Sequence, residues 1–437
     1  MTIDLILRRA NFPDGRKAMD LAIEKGRICA IDERLDAEAE REIDATGCLL
    51  TPPFVDAHFH MDATLSFGFP RVNASGTLLE GIGLWGEMKP HLTQDTIVER
   101  ALAYCDWAVA QGLLAIRSHV DVCDDRLLAV EALLDVKKRV ASYLDLQLVA
   151  FPQDGFLRSP RAEKNLLRAL DMGVEVVGGI PHFERTMADG ARSVRALCEI
   201  AAKRGLMVDM HCDESDDPMS RHIETLAMEA HRLGLQGRVT GSHLTSMHSM
   251  DNYYVSKLIP LMGEAEINVV ANPLINISIQ GRHDSYPKRR GMTRVPELME
   301  AGLTVAFGHD CVMDPWYSLG MADMLQVAHM GLHVAQMTGV EDMQKCFRAV
   351  TENPAKIMGL KDYGLNVGCN ADLLVLQAGD PVEALRLDAA RLFVIRRGKV
   401  IAETQPRTTR LRLEGRPEET SLLGPWNKGV PEARVKG

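Results

Sequence analysis

The stretch Phe54-Val55-Asp56-Ala57-His58-Phe59-His60-Met61-Asp62 decides how the rest of the chain is read. It is an apolar run ending in two histidines one residue apart. Side chains two apart on a β-strand point to the same face. His58 and His60 therefore aim their imidazoles the same way, where a buried strand meets solvent. A divalent metal needs converging nitrogen or carboxylate ligands, and this pair is half of such a set. Taken alone, the pair fits two unrelated surface histidines equally well.

Outward from this stretch the pattern repeats. Eight apolar runs follow one another at 49–58, 113–121, 146–153, 174–182, 206–214, 238–243, 267–276 and 303–310. Amphipathic segments of helix length separate them at 94–110, 126–142, 162–172, 191–204, 219–234, 252–262 and 295–301. Continuous apolar strands alternating with helices make a parallel sheet covered on both faces. Eight such units close into a (β/α)8 barrel of TIM type, an α/β fold. Two further helices are expected near 322–337 and 341–351. Short β-like runs lie on both sides of the barrel: Leu5-Ile6-Leu7, Leu21-Ala22-Ile23 and Arg27–Ile31 before it, 371–376 and 392–401 after it. The expected organisation is a barrel over 53–368, with residues 1–52 and 369–437 pairing into one small β-sandwich domain. The last two dozen residues, rich in Pro, Glu and Gly, read as a surface tail.

Composition narrows the function. With 437 residues and 46% hydrophobic content, the chain can bury the core of a barrel and a smaller domain. A net charge of −10 and no basic run argue against a phosphate-backbone binder, so nucleic acid is not an expected partner. No apolar stretch is long enough to span a membrane. Met1-Thr2-Ile3-Asp4-Leu5 lacks the sections of a signal peptide. Nine cysteines without a Cys-x-x-Cys pair point to free thiols in a reducing cytoplasm.

Chemistry in such a barrel sits at the C-terminal ends of its strands, and there the titratable residues of this chain collect. The first run ends with His58 and His60, the second with Arg117-Ser118-His119-Val120-Asp121, the third with Pro152-Gln153. Pro181-His182-Phe183-Glu184 closes the fourth, His211-Cys212-Asp213-Glu214 the fifth, Ser242-His243 the sixth and Gly308-His309-Asp310 the eighth. His58, His60, His211 and Asp310 make a metal set that leaves a position open for water. Bound Zn²⁺ or Fe²⁺ would lower the pKa of that water toward neutrality. Singly, His211 fits a core histidine and Asp310 a turn cap; together, at three strand ends, they fit a metal. Glu214 suits a general acid/base beside the water, or a neighbour of the next helix cap. His243 could orient the water or be a further ligand, and Asp310 could also take a proton.

These residues resemble the amidohydrolase superfamily, and over nearly the whole length the chain is similar to the bacterial cytosine deaminases. The stretches that carry the likeness are Ser75–Gly81, Leu148–Gln153, His211–Glu214, Val270–Leu274, Tyr286–Gly291, Phe307–Asp310 and Asp314-Pro315-Trp316. The resemblance implies one Fe²⁺ or Zn²⁺ per subunit on His58, His60, His211 and Asp310, with His243 orienting the hydroxide. Binuclear relatives carry a bridging lysine on the fourth strand; residues 174–182 contain none. It further implies that Gln153 binds the amide-like edge of a free nucleobase and that Glu214 protonates ring N3. The backbone at Leu78 and the ring of Trp316 would shape the pocket, and the protein would be a homo-oligomer.

One position departs from that pattern. Similar cytosine deaminases carry a second Asp directly after the metal Asp, near C5 of the base; this chain has Cys311. A thiol removes a charge and leaves room for a small apolar group, so 5-methylcytosine is an expected substrate beside cytosine; the alternative is neutral drift with cytosine kept. The His-x-Glu and Pro-Cys-x-x-Cys pattern of the other zinc deaminase class does not occur. Two other readings stay open: a hydrolase of another cyclic amidine, such as isoguanine or an aminotriazine, and an inactive scaffold, against which stands the complete ligand set.

Overall fold

The computed structural model describes residues 3–420. The chain opens with four strands, β1 Ile3–Ala10, β2 Met19–Glu24, β3 Arg27–Asp32 and β4 Ala39–Asp44, in the order β3-β2-β1-β4. Next comes β5, Leu49–Thr51. The barrel follows: β6 Phe54–Phe59, β7 Leu113–Asp121, β8 Asp145–Phe151, β9 Val176–Gly179, β10 Met207–Cys212, β11 Val239–His243, β12 Asn268–Ala271 and β13 Val305–Phe307. Each pairs in parallel with the next. The barrel closes between β13 and β6 through two bonds, His60 N–H to the Asp310 carbonyl and Asp310 N–H to the His58 carbonyl, both 2.9 Å. The closing seam thus runs through three of the four residues expected to hold a metal, and their backbones are locked to one another.

After the barrel come β14 Leu373–Leu376, β15 Arg391–Arg396 and β16 Lys399–Glu403, which with β5 form an antiparallel sheet in the order β16-β15-β14-β5. Its apolar face, with Leu50, Leu373, Val375 and Ile395, shares one core with Leu5, Leu7, Leu21 and Ile23 of the first sheet. Chain start and chain end thus build one sandwich beside the barrel. Residues 421–437 of the expected tail lie outside the described residues.

The helix 94–110 and the strand 113–121 fall where the hydrophobic periodicity puts them. Three expectations are corrected. The run 49–58 is two strands in two different sheets, because Pro52-Pro53 offers no N–H to continue a ladder. The run 267–276 stops as a strand at Ala271, and Pro273 opens a helix to Ile279, its fixed φ suiting a first turn. The segment 341–351 holds one helix ending at Arg348; another, Glu352–Met358, follows. A further helix, Leu78–Met88, occupies the connection after β6, started by Thr77, whose hydroxyl accepts from Glu80 N–H.

Candidate active site

His58, His60, His211 and Asp310 meet at the C-terminal rim of the barrel, all buried. His60 Nε2 lies 2.9 Å from His211 Nε2, and His58 Nε2 and His60 Nε2 each lie 3.4 Å from Asp310 Oδ1. Two ligands about 2.0–2.1 Å from one ion stand about 2.9–3.4 Å apart at right or tetrahedral angles. The observed spacings are those of donors sharing an ion. Both ring nitrogens of His58, and Nδ1 of His60 and of His211, are buried without a hydrogen-bond partner. Such orphans are costly unless something satisfies them, and for His58 Nε2 a cation between these groups would do so. Burial pushes the imidazoles of His58, His60, His211 and His243 well below their ordinary range. They are held in the neutral form a metal requires. The set fits a divalent cation.

Backbone conformation aims two of the groups. Asp310 has φ +68° and His243 φ +72°, left-handed values that non-glycine residues seldom adopt. Asp310 is pinned by the seam bonds, and Asp213, next to Glu214, pins the end of β10. The Asp213 carboxylate accepts from Ser220 Oγ at 2.7 Å, His222 N–H at 3.0 Å and Ile223 N–H at 2.8 Å. That fixes where Glu214 leaves the strand.

Glu214 and His243 form a second cluster against the first. His243 Nδ1 lies 3.2 Å from Glu214 Oε1, and its Nε2 3.8 Å from Asp310 Oδ2. The helix Pro273–Ile279 contributes Asn276, fully buried, whose Nδ2 donates to His243 Nδ1 at 3.0 Å and to Glu214 Oε1 at 3.4 Å. The Asn272 side-chain amide also approaches the ring, its Nδ2 3.2 Å from Nδ1 and 3.4 Å from Nε2. Burial, reinforced by the Asp310 charge, raises the Glu214 carboxyl well above the ordinary range, which favours its protonated form.

Gln153, Leu78, Cys311 and Trp316, expected around a substrate, all line one pocket with Glu214, His243 and Asp310. It encloses about 650 Å³ including its mouth. Gln153 Oε1 is buried and without a partner. Trp316 stands 5.9 Å from the His60 ring and 5.5 Å from Trp85, whose indole N–H donates to Asp121 at 2.9 Å. A side chain at Gly81 would put its Cβ 2.7 Å from Trp316 Cδ1, so only glycine lets the helix Leu78–Met88 approach this closely. Cys311 Sγ lies 3.7 Å from Asp310 Oδ1, and burial beside the Asp310 and Asp314 carboxylates pushes its thiol up.

The sequence pattern does not assign several residues that the fold brings here. Phe151 stacks on His211 with centroids 4.2 Å apart and planes 15° apart; it is an ordinary strand residue by pattern. Trp85 rides on a helix diluted by Gly81, Gly83 and Gly86. Asn276 arrives on a helix where a strand was expected. His182 and His119 stand at strand ends, which is a signal, but one that names no role.

Comparison with known proteins agrees with this geometry. The family model of the amidohydrolase family matches residues 41–407. Two solved structures of 5-methylcytosine deaminase from Klebsiella pneumoniae, liganded with 5-fluorocytosine and with phosphonocytosine, are 43% and 44% identical. They cover 93% and 92% of this chain and 99% of theirs, with TM-scores of 0.90 and 0.89. N-isopropylammelide isopropyl amidohydrolase of a Pseudomonas species is 28% identical over 414 residues, 92% of this chain and 98% of its own. Pterin deaminase of Rhizobium rhizogenes is 28% identical and covers 90% of each chain. A barrel whose seam gathers a His/Asp centre, matched by the family model across most of its length, makes this chain a member of the amidohydrolase family.

Proposed function

We propose that the protein removes the exocyclic amino group of a free cytosine-type base by hydrolysis, converting cytosine to uracil, 5-methylcytosine to thymine, or both. The observation that carries this reading is Glu214, 3.2 Å from His243 beside a His/Asp metal centre, in a pocket lined by Gln153 and Trp316. The 43% identity to a 5-methylcytosine deaminase supports it.

In this reading His58, His60, His211 and Asp310 hold one divalent ion, Fe²⁺ or Zn²⁺. When bound, the ion supplies the Lewis acidity that makes water a nucleophile near neutral pH. The chain's own groups do the rest. The Gln153 amide pairs with the amide-like edge of the base, the Leu78 backbone shapes the pocket, and Trp316 and Phe151 wall it. As the nucleophile adds to C4, the ring electrons move onto N3, and Glu214 gives N3 its proton. His243, whose Nε2 faces Asp310, steadies negative charge developing at the added oxygen. Asp310 accepts the water proton and passes it to the amino group; as ammonia leaves, the C4 hydroxyl becomes a carbonyl and its proton returns to Glu214. One water is consumed and one ammonia released. Cys311 leaves room beside C5 for a methyl group, which we propose as the reason 5-methylcytosine is accepted. The same reading keeps the chain in the cytoplasm as a homo-oligomer, with domain limits at about 52 and 368.

The N-isopropylammelide relatives favour a second reading, hydrolysis of an aminotriazine at the same centre. The test is amine and ammonia release by enzyme loaded with Fe²⁺ or Zn²⁺, over cytosine, 5-methylcytosine, isoguanine and aminotriazines. Turnover of either pyrimidine supports the proposal. Turnover of triazines or isoguanine alone moves the substrate class; no bound metal and no turnover would leave a scaffold.

A further inference from the structure

A fifth histidine lies under the rim and the mechanism leaves it unused. His119 on β7 is fully buried, and neither of its ring nitrogens has a hydrogen-bond partner. Its ring centroid is 4.2 Å from that of His58, 4.5 Å from His211 and 5.4 Å from His60. One ring nitrogen from each of His58, His60, His119 and His211 lies within 4.8 Å of the other three. Four buried imidazoles gathered this closely, with several nitrogens unsatisfied, make a second candidate cation site.

What lies behind His119 is built to orient it. Asp209 Oδ1 stands 3.6 Å from His119 Nε2. That carboxylate is fixed by Arg117 Nη1 at 2.8 Å and by the Ser242 hydroxyl at 2.7 Å. Arg117 is itself buried and tied to Gln147 Oε1 at 2.7 Å and the Ile357 carbonyl at 3.0 Å. A carboxylate behind a histidine sets its ring and tautomer where a metal is to be bound.

We propose that the barrel offers a divalent ion two alternative seats sharing His58, His60 and His211: the rim seat completed by Asp310, and a deeper seat of four imidazoles completed by His119. The inference rests on the rim-centre reading above. Because three ligands are common to both, one ion occupies one seat at a time. Four nitrogens fill a tetrahedral shell and leave no place for water, so the deeper seat retains an ion without supporting hydrolysis. All-imidazole coordination suits Zn²⁺, Ni²⁺, Cu²⁺ and Co²⁺, whereas a carboxylate ligand also serves Mn²⁺.

The test uses Co²⁺, whose visible absorption is intense when four-coordinate and weak at higher coordination, with full-length wild type, Asp310→Ala, His119→Ala and the double variant. Asp310→Ala closes the rim seat only. It is expected to bind one Co²⁺ per chain with the intense four-coordinate spectrum. Adding His119→Ala, or His119→Gln if the alanine variant does not fold, should abolish that spectrum and weaken Co²⁺ binding about 100-fold. Equal Co²⁺ affinity and equal spectra in Asp310→Ala and the double variant would overturn the deeper seat and leave the rim centre standing. Loss of Co²⁺ from Asp310→Ala alone would do the same. Failure of wild type to bind Co²⁺ would overturn both.

Discussion

Replacing Cys311 by Asp probes the selectivity of the proposed pocket. Cys311 is buried, with its Sγ 3.7 Å from Asp310 Oδ1 and the Asp314 carboxyl close by. A carboxylate there would face the Asp310 charge across about the same gap. At an effective dielectric constant of about 20, that repulsion is about 4–5 kcal/mol, so the new acid would hold a proton or draw in water. Either way, an apolar niche beside C5 becomes polar and smaller. Losing room for one methyl group is worth about 1–3 kcal/mol, roughly 10–200-fold. The kcat/KM ratio of 5-methylcytosine to cytosine should therefore fall by that factor in Cys311→Asp. The assay is steady-state ammonia release on both bases, at matched metal content, with circular dichroism to show that the variant folds. An unchanged ratio would refute the steric role of Cys311.

Further outcomes follow from other contacts. Asn276→Ala removes the amide that donates to both His243 Nδ1 and Glu214 Oε1; kcat should fall about 10–100-fold with KM within a few-fold, as single-turnover kinetics would show. Gly81→Ala drives a methyl group against Trp316, so KM for the base should rise while metal content stays constant. Asp209→Asn breaks the buried pair with Arg117 and should cost about 3–5 kcal/mol in chemical denaturation; a loss below 1 kcal/mol would contradict that pairing. Burial raises Asp314 from 3.8 to about 7. The folded state therefore binds the extra proton, and this contribution is full below pH 4 and lost as pH rises to about 7. The change is about 4 kcal/mol at 1.36 kcal/mol per unit. Asp314→Asn keeps an oxygen for Trp316 N–H and Tyr317 N–H and should flatten denaturation midpoints over that range.

Much of this is legible in the residues, for definite reasons. The barrel strands are apolar on both faces and the helices on one, so segments such as 94–110 and 113–121 announce themselves by period. His58, His60, His211, Glu214, His243 and Asp310 are visible because strand ends in such a barrel are where polar groups gather. What stays hidden depends on tertiary contact. The helix Leu78–Met88 contains three glycines and is stabilised by its Thr77 cap and by packing on Trp316, neither of which periodicity registers. The Pro52-Pro53 break is written in the chain, yet the apolar residues on both sides read as one run. Asn276 acquires its position only because Pro273 opens a helix after β12, where the run was expected to continue as a strand. His119 is one histidine among fourteen until the barrel closes and sets it beside three others.

The fate of one oxygen atom tests hydrolysis at C4 most directly. Metal-loaded enzyme is incubated with 5-methylcytosine, and separately with cytosine, in H₂¹⁸O, with ammonia and the base product measured together. Hydrolysis at C4 yields thymine or uracil carrying a single ¹⁸O at C4, with one ammonia per product. Neither product from the metal-loaded enzyme, or product without ¹⁸O, would contradict it.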